Sequence, residues 1–134
     1  MLSNIDDECL SVPGSAATGN VLPLLHEVRH ALQELLDQGT EAVIDLRAIP
    51  LGPGEEERIA DTLGRGEVQV RMSALGPSEI VETRFPGVWL STHRNEDGEV
   101  IGRYIEICLV PPLVRSQEAD IRHGLQALDA RLRE

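Results

Sequence analysis

Residues 26–30 read His-Glu-Val-Arg-His, which are the residue types and spacing of a zinc-peptidase helix. Two histidines four residues apart can share one Zn²⁺, and the glutamate between them can act as general base toward a zinc-bound water. A catalytic zinc needs a third protein ligand, and no downstream motif clearly supplies one, although His93 and His123 are present. A metal site or zinc hydrolase at His26 and His30 is therefore the alternative interpretation.

The helix predicted around these histidines favours a different role for them. Apolar residues recur with the spacing of one buried helix face, at positions 21, 24, 25, 28, 31, 32, 35 and 36. With Leu25 at the centre of that face, His26 and His30 lie roughly 100° and 140° away, among polar side chains. We expect both on the solvated side of a helix that Asn20 caps and Gly39 ends.

Other catalytic arrangements are weaker. Ser91 and His93 project from the same side of one predicted strand, but no Gly-x-Ser-x-Gly turn and no orienting acid accompany them.

The two cysteines exclude a disulfide framework and a Cys-rich zinc site, which fits a reducing compartment. We predict Cys108 as a sheet residue and Cys9 as the more exposed thiol. The chain is therefore predicted to be no enzyme and to need no cofactor.

Residues 83–89 read Thr-Arg-Phe-Pro-Gly-Val-Trp and hold the only Phe and the only Trp of the chain. Trp and Arg are residue types that dominate the binding energy of protein interfaces. The alternative, that the two rings fix the core at a strand turn, stays open. The functional hypothesis is a partner-binding surface made of Glu82, Arg84, Phe85, Pro86, Trp89 and His93.

Charge and hydropathy exclude several kinds of partner. The 134 residues contain 12 Lys and Arg against 23 Asp and Glu, a formal net charge of −11. Nucleic acids and anionic membranes are bound largely through Lys and Arg, so neither is expected here. No apolar run reaches the roughly 20 residues that span a bilayer, and no secretory signal is recognisable at the N-terminus. The cytoplasm is the expected location.

The remaining pattern predicts the elements that position these residues. A buried strand is expected at 42–46, a short helix at 55–63, and about four strands between 68 and 109 with a hairpin turn at Asp97-Gly98. Ser116 is expected to cap a last helix with an apolar stripe at 121, 125, 128 and 132. The predicted fold is a two-layer α+β domain at residues 21–134, with an antiparallel or mixed sheet of about five strands and helices on one face. Residues 1–20 are predicted to be an irregular lead-in.

Several blocks of the sequence resemble one protein family. Leu24–Leu32, Val43–Arg47, Leu75–Ile80 and, most distinctively, Glu82–Trp89 are similar, in this order, to the HupH/HyaF hydrogenase expression/formation proteins. His93, Asn95, Gly98 and Ile105-Glu106 continue the resemblance. It extends from about Val21 to about Leu132, and it is to the conserved C-terminal region of a longer protein.

The resemblance implies a chaperone-like accessory protein that acts in the cytoplasm during maturation of nickel–iron uptake hydrogenases. Its implied partners are the precursor of the iron–sulfur small subunit and other hydrogenase accessory proteins. The family offers no established catalytic residues, so none is transferred to this chain. A homodimer joined through a sheet edge remains a further hypothesis.

Overall fold

The computed structural model describes residues 18–73 and 76–133. Within them lie three helices, α1 (Val21–Gln38), α2 (Glu55–Leu63) and α3 (Glu118–Leu132), and a five-stranded sheet. The strands are β1 (Ala42–Asp45), β2 (Gln69–Ser73), β3 (Pro77–Glu82), β4 (Val88–Arg94) and β5 (Val100–Ile107). Their order across the sheet is β1-β5-β4-β3-β2, and every pairing is antiparallel. The predicted α+β class is confirmed, whereas the predicted lead-in lies outside the described residues except at 18–20.

Helices α1 and α2 cover one face of this sheet. Side chains alternate between the two faces of a strand, so every second residue of β4 and β5 points toward the helices. The resulting core holds residues that are at most 7% exposed. Its members are Val21, Leu24 and Val28 of α1, Ile59 and Leu63 of α2, Ile44, Val88, Ile105 and Ile107 of the sheet, and Leu46, which directly follows β1.

The two ends of α1 differ in how well the sequence predicted them. Gly39 ends the helix as expected, with φ of 71° and its N–H donating to Leu35 O over 3.0 Å. Asn20 does not cap the helix with its side chain, because its backbone is already helical, at φ −90° and ψ −8°. Its carboxamide nitrogen instead donates to Pro50 O over 2.8 Å. That bond ties the start of α1 to the loop before α2.

Strand β1 is not the buried strand that its apolar run predicted. Among the described strands it pairs only with β5, so it forms an edge of the sheet. Ile44 faces the helices and is 7% exposed, while Val43 on the opposite face is 62% exposed. A short apolar run does not distinguish a central strand from an edge strand that is covered on one face.

Helix α3 contributes no residue to the apolar clusters of the two-layer body. Gln117 precedes its first turn without a side-chain cap, so the predicted cap by Ser116 is wrong. The apolar stripe forms at the predicted positions, yet no residue of α3 is buried. The helices on one face of the sheet are therefore α1 and α2. No helix in the described ranges is long and apolar enough to cross a membrane.

A buried carboxylate joins the start of α2 to the segment before α1. Glu55 is 5% exposed and accepts hydrogen bonds from Gly52 N at 2.5 Å, Thr18 Oγ1 at 2.7 Å and Thr18 N at 3.1 Å. The bond from Gly52, followed by that from the Thr18 hydroxyl, lowers the pKa of Glu55 although burial opposes this. The ionised carboxylate thus stabilises the folded state.

Replacing Glu55 by Gln should lower the free energy of unfolding by about 1–3 kcal/mol at pH 7, because a charged acceptor of three hydrogen bonds is lost. A lowered pKa contributes stability above the ordinary glutamate pKa, roughly 4.3, and this contribution disappears as the pH falls through the lowered value. Urea unfolding of the wild type and Glu55→Gln should therefore differ at pH 7 and converge in acid. Asp61→Asn, at an exposed position of the same helix, is the control and should change little. A constant difference at all pH values would contradict this assignment.

Candidate functional site

A single buried hydroxyl organises the turn between β3 and β4, residues 83–87, hereafter the β3–β4 turn. The Thr83 residue is 1% exposed, and its hydroxyl donates to Val88 O over 2.8 Å. The same oxygen accepts from Phe85 N at 3.1 Å, and Thr83 N donates to Val88 O at 3.0 Å. The backbone N–H of Phe85 is therefore held by the hydroxyl of a buried residue.

Helices α1 and α2 both contact this turn. Arg84 N donates to Leu63 O at the end of α2 over 2.8 Å. Gly87 has φ of 93°, and a Cβ added there would lie 3.0 Å from Leu32 Cδ1 of α1. The backbone can approach α1 this closely, with this positive φ, because residue 87 is glycine. The turn is therefore a rigid element and not a loose surface loop.

The structure separates the predicted partner-binding residues into surface and core. Arg84, Phe85 and Pro86 are exposed on the turn, with Phe85 39% exposed. Trp89 is only 7% exposed, and its indole N–H donates to Cys108 O over 3.1 Å. Of the two rings singled out in the sequence, Trp89 thus packs in the core and Phe85 remains accessible.

Glu82 and His93 occupy different ends of the sheet. Glu82 lies directly opposite Trp89 in the β3–β4 register, beside the turn. His93 lies four residues beyond Trp89 along β4, roughly 13 Å away. Its Nδ1 is 2.9 Å from Ser78 Oγ. The structure therefore groups Glu82, Trp89 and the turn, and it leaves His93 outside that group.

A second apolar cluster, which the sequence analysis missed, lies on the face of the sheet that α1 and α2 leave uncovered. Its buried members are Ile80, Trp89 and Cys108, with Val70 and Met72 packed against them. Strand β4 is consequently buried on both faces. The sequence could have indicated this cluster through the alternation of side chains along each strand. Val70, Ile80 and Trp89 share one face of the sheet when the strands pair in the observed register.

The groups considered for catalysis do not form a nucleophilic pair. Ser91 is fully buried on the same face as His93, as predicted, but its hydroxyl has no hydrogen-bond partner in the described part of the chain. His93 contacts the Tyr104 ring, with centroids 5.8 Å apart, in addition to Ser78. Burial, followed by the charge of Glu106, raises the pKa of the Cys108 thiol to about 11. Cys108 is therefore protonated at neutral pH, and Cys9 lies outside the described residues.

His26 and His30 project from α1 into solvent, on the polar side of the helix that was predicted from the spacing of its apolar residues. Among residues 18–73 and 76–133, no three or more His, Cys, Asp or Glu side chains gather where they could hold a metal ion. The described geometry thus supplies a pair of exposed imidazoles, which is fewer than the three protein ligands of a catalytic zinc.

Comparison with known proteins gives one consistent result. The profile of the family described as "HupH hydrogenase expression protein, C-terminal conserved region" matches residues 18–134. The hydrogenase expression/formation protein HupH of Rhizobium leguminosarum bv. viciae is 29% identical over 122 residues, which are 91% of this chain and 42% of that protein. HupQ of Azotobacter chroococcum mcd 1, with the same description, is 27% identical over 111 residues, 81% of this chain and 39% of that protein. The chain thus spans less than half the length of these relatives.

A solved structure matches the fold along most of the chain. The hydrogenase expression protein HupH from Thiobacillus denitrificans ATCC 25259 superposes with a TM-score of 0.82 at 45% sequence identity. The match covers 87% of this chain and 98% of the solved chain. The architecture described above is therefore shared with a protein that carries the same family description.

The Thr83 hydroxyl can be tested without disturbing the core volume. Thr83→Val keeps the shape but removes a buried donor and acceptor, so it should lower the free energy of unfolding by about 1–3 kcal/mol. It should also accelerate hydrogen exchange at the Phe85 amide, which loses its acceptor. Thr83→Ser keeps the hydroxyl, and it should cost less and leave that amide protected. Equal exchange rates for the Phe85 amide in both variants would show that the hydroxyl does not hold the turn.

Proposed function

The chain belongs to the HupH hydrogenase expression protein family through its match to the C-terminal conserved region, and from this premise we propose that it is a non-catalytic accessory factor that binds a precursor protein during hydrogenase maturation. The relatives' names describe hydrogenase expression or formation. The proposed client is the precursor of the iron–sulfur small subunit of a nickel–iron uptake hydrogenase. We place this chaperone-like step in the cytoplasm, together with other hydrogenase accessory proteins.

The observation that favours a binding role is the rigidity of the β3–β4 turn combined with what it exposes. Protein association costs free energy whenever loops and side chains must be ordered. Here the Thr83 hydroxyl and the contacts to α1 and α2 order the backbone before any partner arrives. A preformed turn therefore presents Phe85 and Arg84 without that cost, and both are residue types that contribute strongly to interfaces.

Trp89 has an indirect part in this proposal. Its ring is buried and its indole N–H donates to Cys108 O, so it anchors the start of β4, where the turn ends. Glu82, beside it, and the exposed Pro86 complete the proposed contact surface, with the predicted His93 at its far margin. The chain's net charge of −11 favours a client segment that carries basic residues.

The free edge of β1 offers a second way to hold the same client. Among the described strands β1 pairs on one side only, and an extended segment can add to such an edge through main-chain hydrogen bonds. An edge contact of this kind is tolerant of sequence, whereas contacts to Phe85 and Arg84 depend on the client's side chains. The turn is therefore the surface to which we assign specificity.

Phe85→Ala and Arg84→Ala should each weaken binding of the purified hydrogenase small-subunit precursor by about tenfold or more, as expected for residues central to an interface. Isothermal titration calorimetry or quantitative co-purification measures the effect, and circular dichroism verifies the fold. Ile101→Ala is the matched control, because Ile101 is 64% exposed near the opposite end of β4 and β5. Trp89→Ala is unsuitable, since removing a buried Trp costs about 3–5 kcal/mol of stability.

Two outcomes separate the parts of this proposal. Equal affinity of the wild type and both turn variants would move the contact away from the β3–β4 turn while leaving the accessory role standing. No binding of the wild-type chain to the small-subunit precursor would refute that client.

The alternative of a metal-centred function at His26 and His30 has its own test. Two exposed imidazoles without a third described ligand should hold Zn²⁺ or Ni²⁺ only weakly, with a dissociation constant above roughly micromolar. Elemental analysis with native mass spectrometry of untagged protein, purified without added metal, should find no stoichiometric metal. One tightly held ion per chain that is lost in His26→Ala, but kept in Gln33→Ala on the same helix, would establish the metal site instead.

A further inference from the structure

Helix α3 has an apolar stripe that no part of the described chain covers. Its four large apolar residues are 56–75% exposed, namely Ile121, Leu125, Leu128 and Leu132. A single helix of about 15 residues is only marginally stable in water unless its apolar face is packed. The stripe therefore indicates that α3 meets a surface outside the described part of the chain.

The shape of the stripe indicates what that surface is. The four residues follow one another at intervals of four, three and four, and they fall within about 60° of the helix circumference. A stripe this narrow, with a repeat of 3.5 residues, is the seam of a two-helix coiled coil. A flat sheet or a membrane surface would be matched by a wider apolar face.

The charges beside the seam favour a second copy of the same helix. One flank of the seam carries two opposite charges, Arg122 and Asp129, each directly after a seam residue. In an antiparallel pair this flank meets the same flank of the other helix. Arg122 of each copy then faces Asp129 of the other, because the two-fold axis passes between these positions. The flank is thus complementary to itself.

A parallel pair lacks this complementarity. It would place the charged flank against the opposite flank, where Gln117 and Gly124 are uncharged and only Arg131 carries a charge. From Glu118 to Arg133 the segment has three Arg and three acidic side chains, so two copies can approach here without local repulsion. In the single chain Arg122 bonds Glu118 at 2.6 Å, an exposed i, i+4 pair that is readily exchanged for a pair across helices.

Gly124 is consistent with this arrangement. It lies inside α3, beside the seam, and a Cβ added there would meet nothing within 4 Å among the described residues. Glycine in a helix interior costs about 0.5–1 kcal/mol relative to alanine, and no contact that the structure describes compensates for this. A small residue next to the seam allows the backbone of a second helix to come close.

We propose that two copies of this chain associate through an antiparallel, two-fold symmetric pairing of their α3 helices. This inference does not depend on the proposed client, because it uses neither the β3–β4 turn nor the edge of β1. Each helix contributes only four apolar side chains to the contact, so the total surface that the dimer buries is less than the roughly 1,200 Å² of a standard interface. The dimer is therefore expected to be weak. A dissociation constant on the order of micromolar is expected at moderate ionic strength, where the −11 charge of each chain is screened.

Sedimentation equilibrium of the full 134-residue chain, over about 1–100 μM and at roughly 0.15 M salt, tests the dimer. The wild type should show a reversible monomer–dimer equilibrium of a 14.7 kDa chain. Leu125→Asp should raise the dissociation constant at least about tenfold. The matched control is Leu36→Asp, at an apolar position of α1 that is 78% exposed, and it should leave the dissociation constant unchanged.

A charge exchange tests the antiparallel register. Arg122→Asp places like charges opposite each other twice per dimer and should weaken association, whereas Arg122→Asp combined with Asp129→Arg should restore it. Circular dichroism verifies that α3 remains helical in each variant. A monomeric wild type at all concentrations, or a dimer indifferent to Leu125→Asp, would overturn the proposal. Weakening by Arg122→Asp without rescue in the double variant would overturn the antiparallel register.

Discussion

The pairing of β4 with β5 is the interaction on which the rest of the structure depends. Strand β4 lies between β5 and β3, and β5 lies between β1 and β4, so both are internal to the sheet. Their alternating side chains supply two separate apolar clusters. Val88, Ile105 and Ile107 pack against the helices, while Trp89, followed by Cys108 beyond the strand, packs on the opposite face. Loss of this pairing would disturb both clusters, because β4 contributes Val88 to one and Trp89 to the other.

The β3–β4 turn gains its definition from that arrangement. It begins at the buried Thr83 and is followed by the buried Val88 of β4, so its two ends are fixed by buried residues. The Thr83 hydroxyl then determines the path between them, and the end of α2 accepts the next hydrogen bond. An aromatic motif that looked uniform in the sequence is thereby divided between a structural residue, Trp89, and an accessible one, Phe85. Proximity in sequence made them one candidate site, but Trp89 lies in β4 with its ring on an apolar cluster, whereas Phe85 lies on the exposed turn.

The correct sequence predictions concern features that a few neighbouring residues determine. Gly39 ends α1, and Asp97-Gly98 forms the β4–β5 turn with Gly98 at φ 84°, because positive φ is a local property of glycine. The incorrect ones concern residues with competing partners. Asn20 was expected to cap α1 but bonds Pro50, thirty residues away, and the predicted cap by Ser116 is wrong since Gln117 precedes the helix. A polar side chain near a helix end shows only that capping is available, and the folded chain decides which bond forms.

The sequence by itself determined the type and order of the elements, the α+β class, the family and the identity of the conspicuous residues. The tertiary structure alone decided which apolar patterns are buried. The stripe of α1 and the stripe of α3 look alike as periodic patterns, yet the first packs on the sheet and the second faces water. Periodicity states which side of a helix is apolar, and it contains no information on what that side meets. Contact depends on strand pairings between residues far apart in the chain, and those pairings exist only once the sheet has formed.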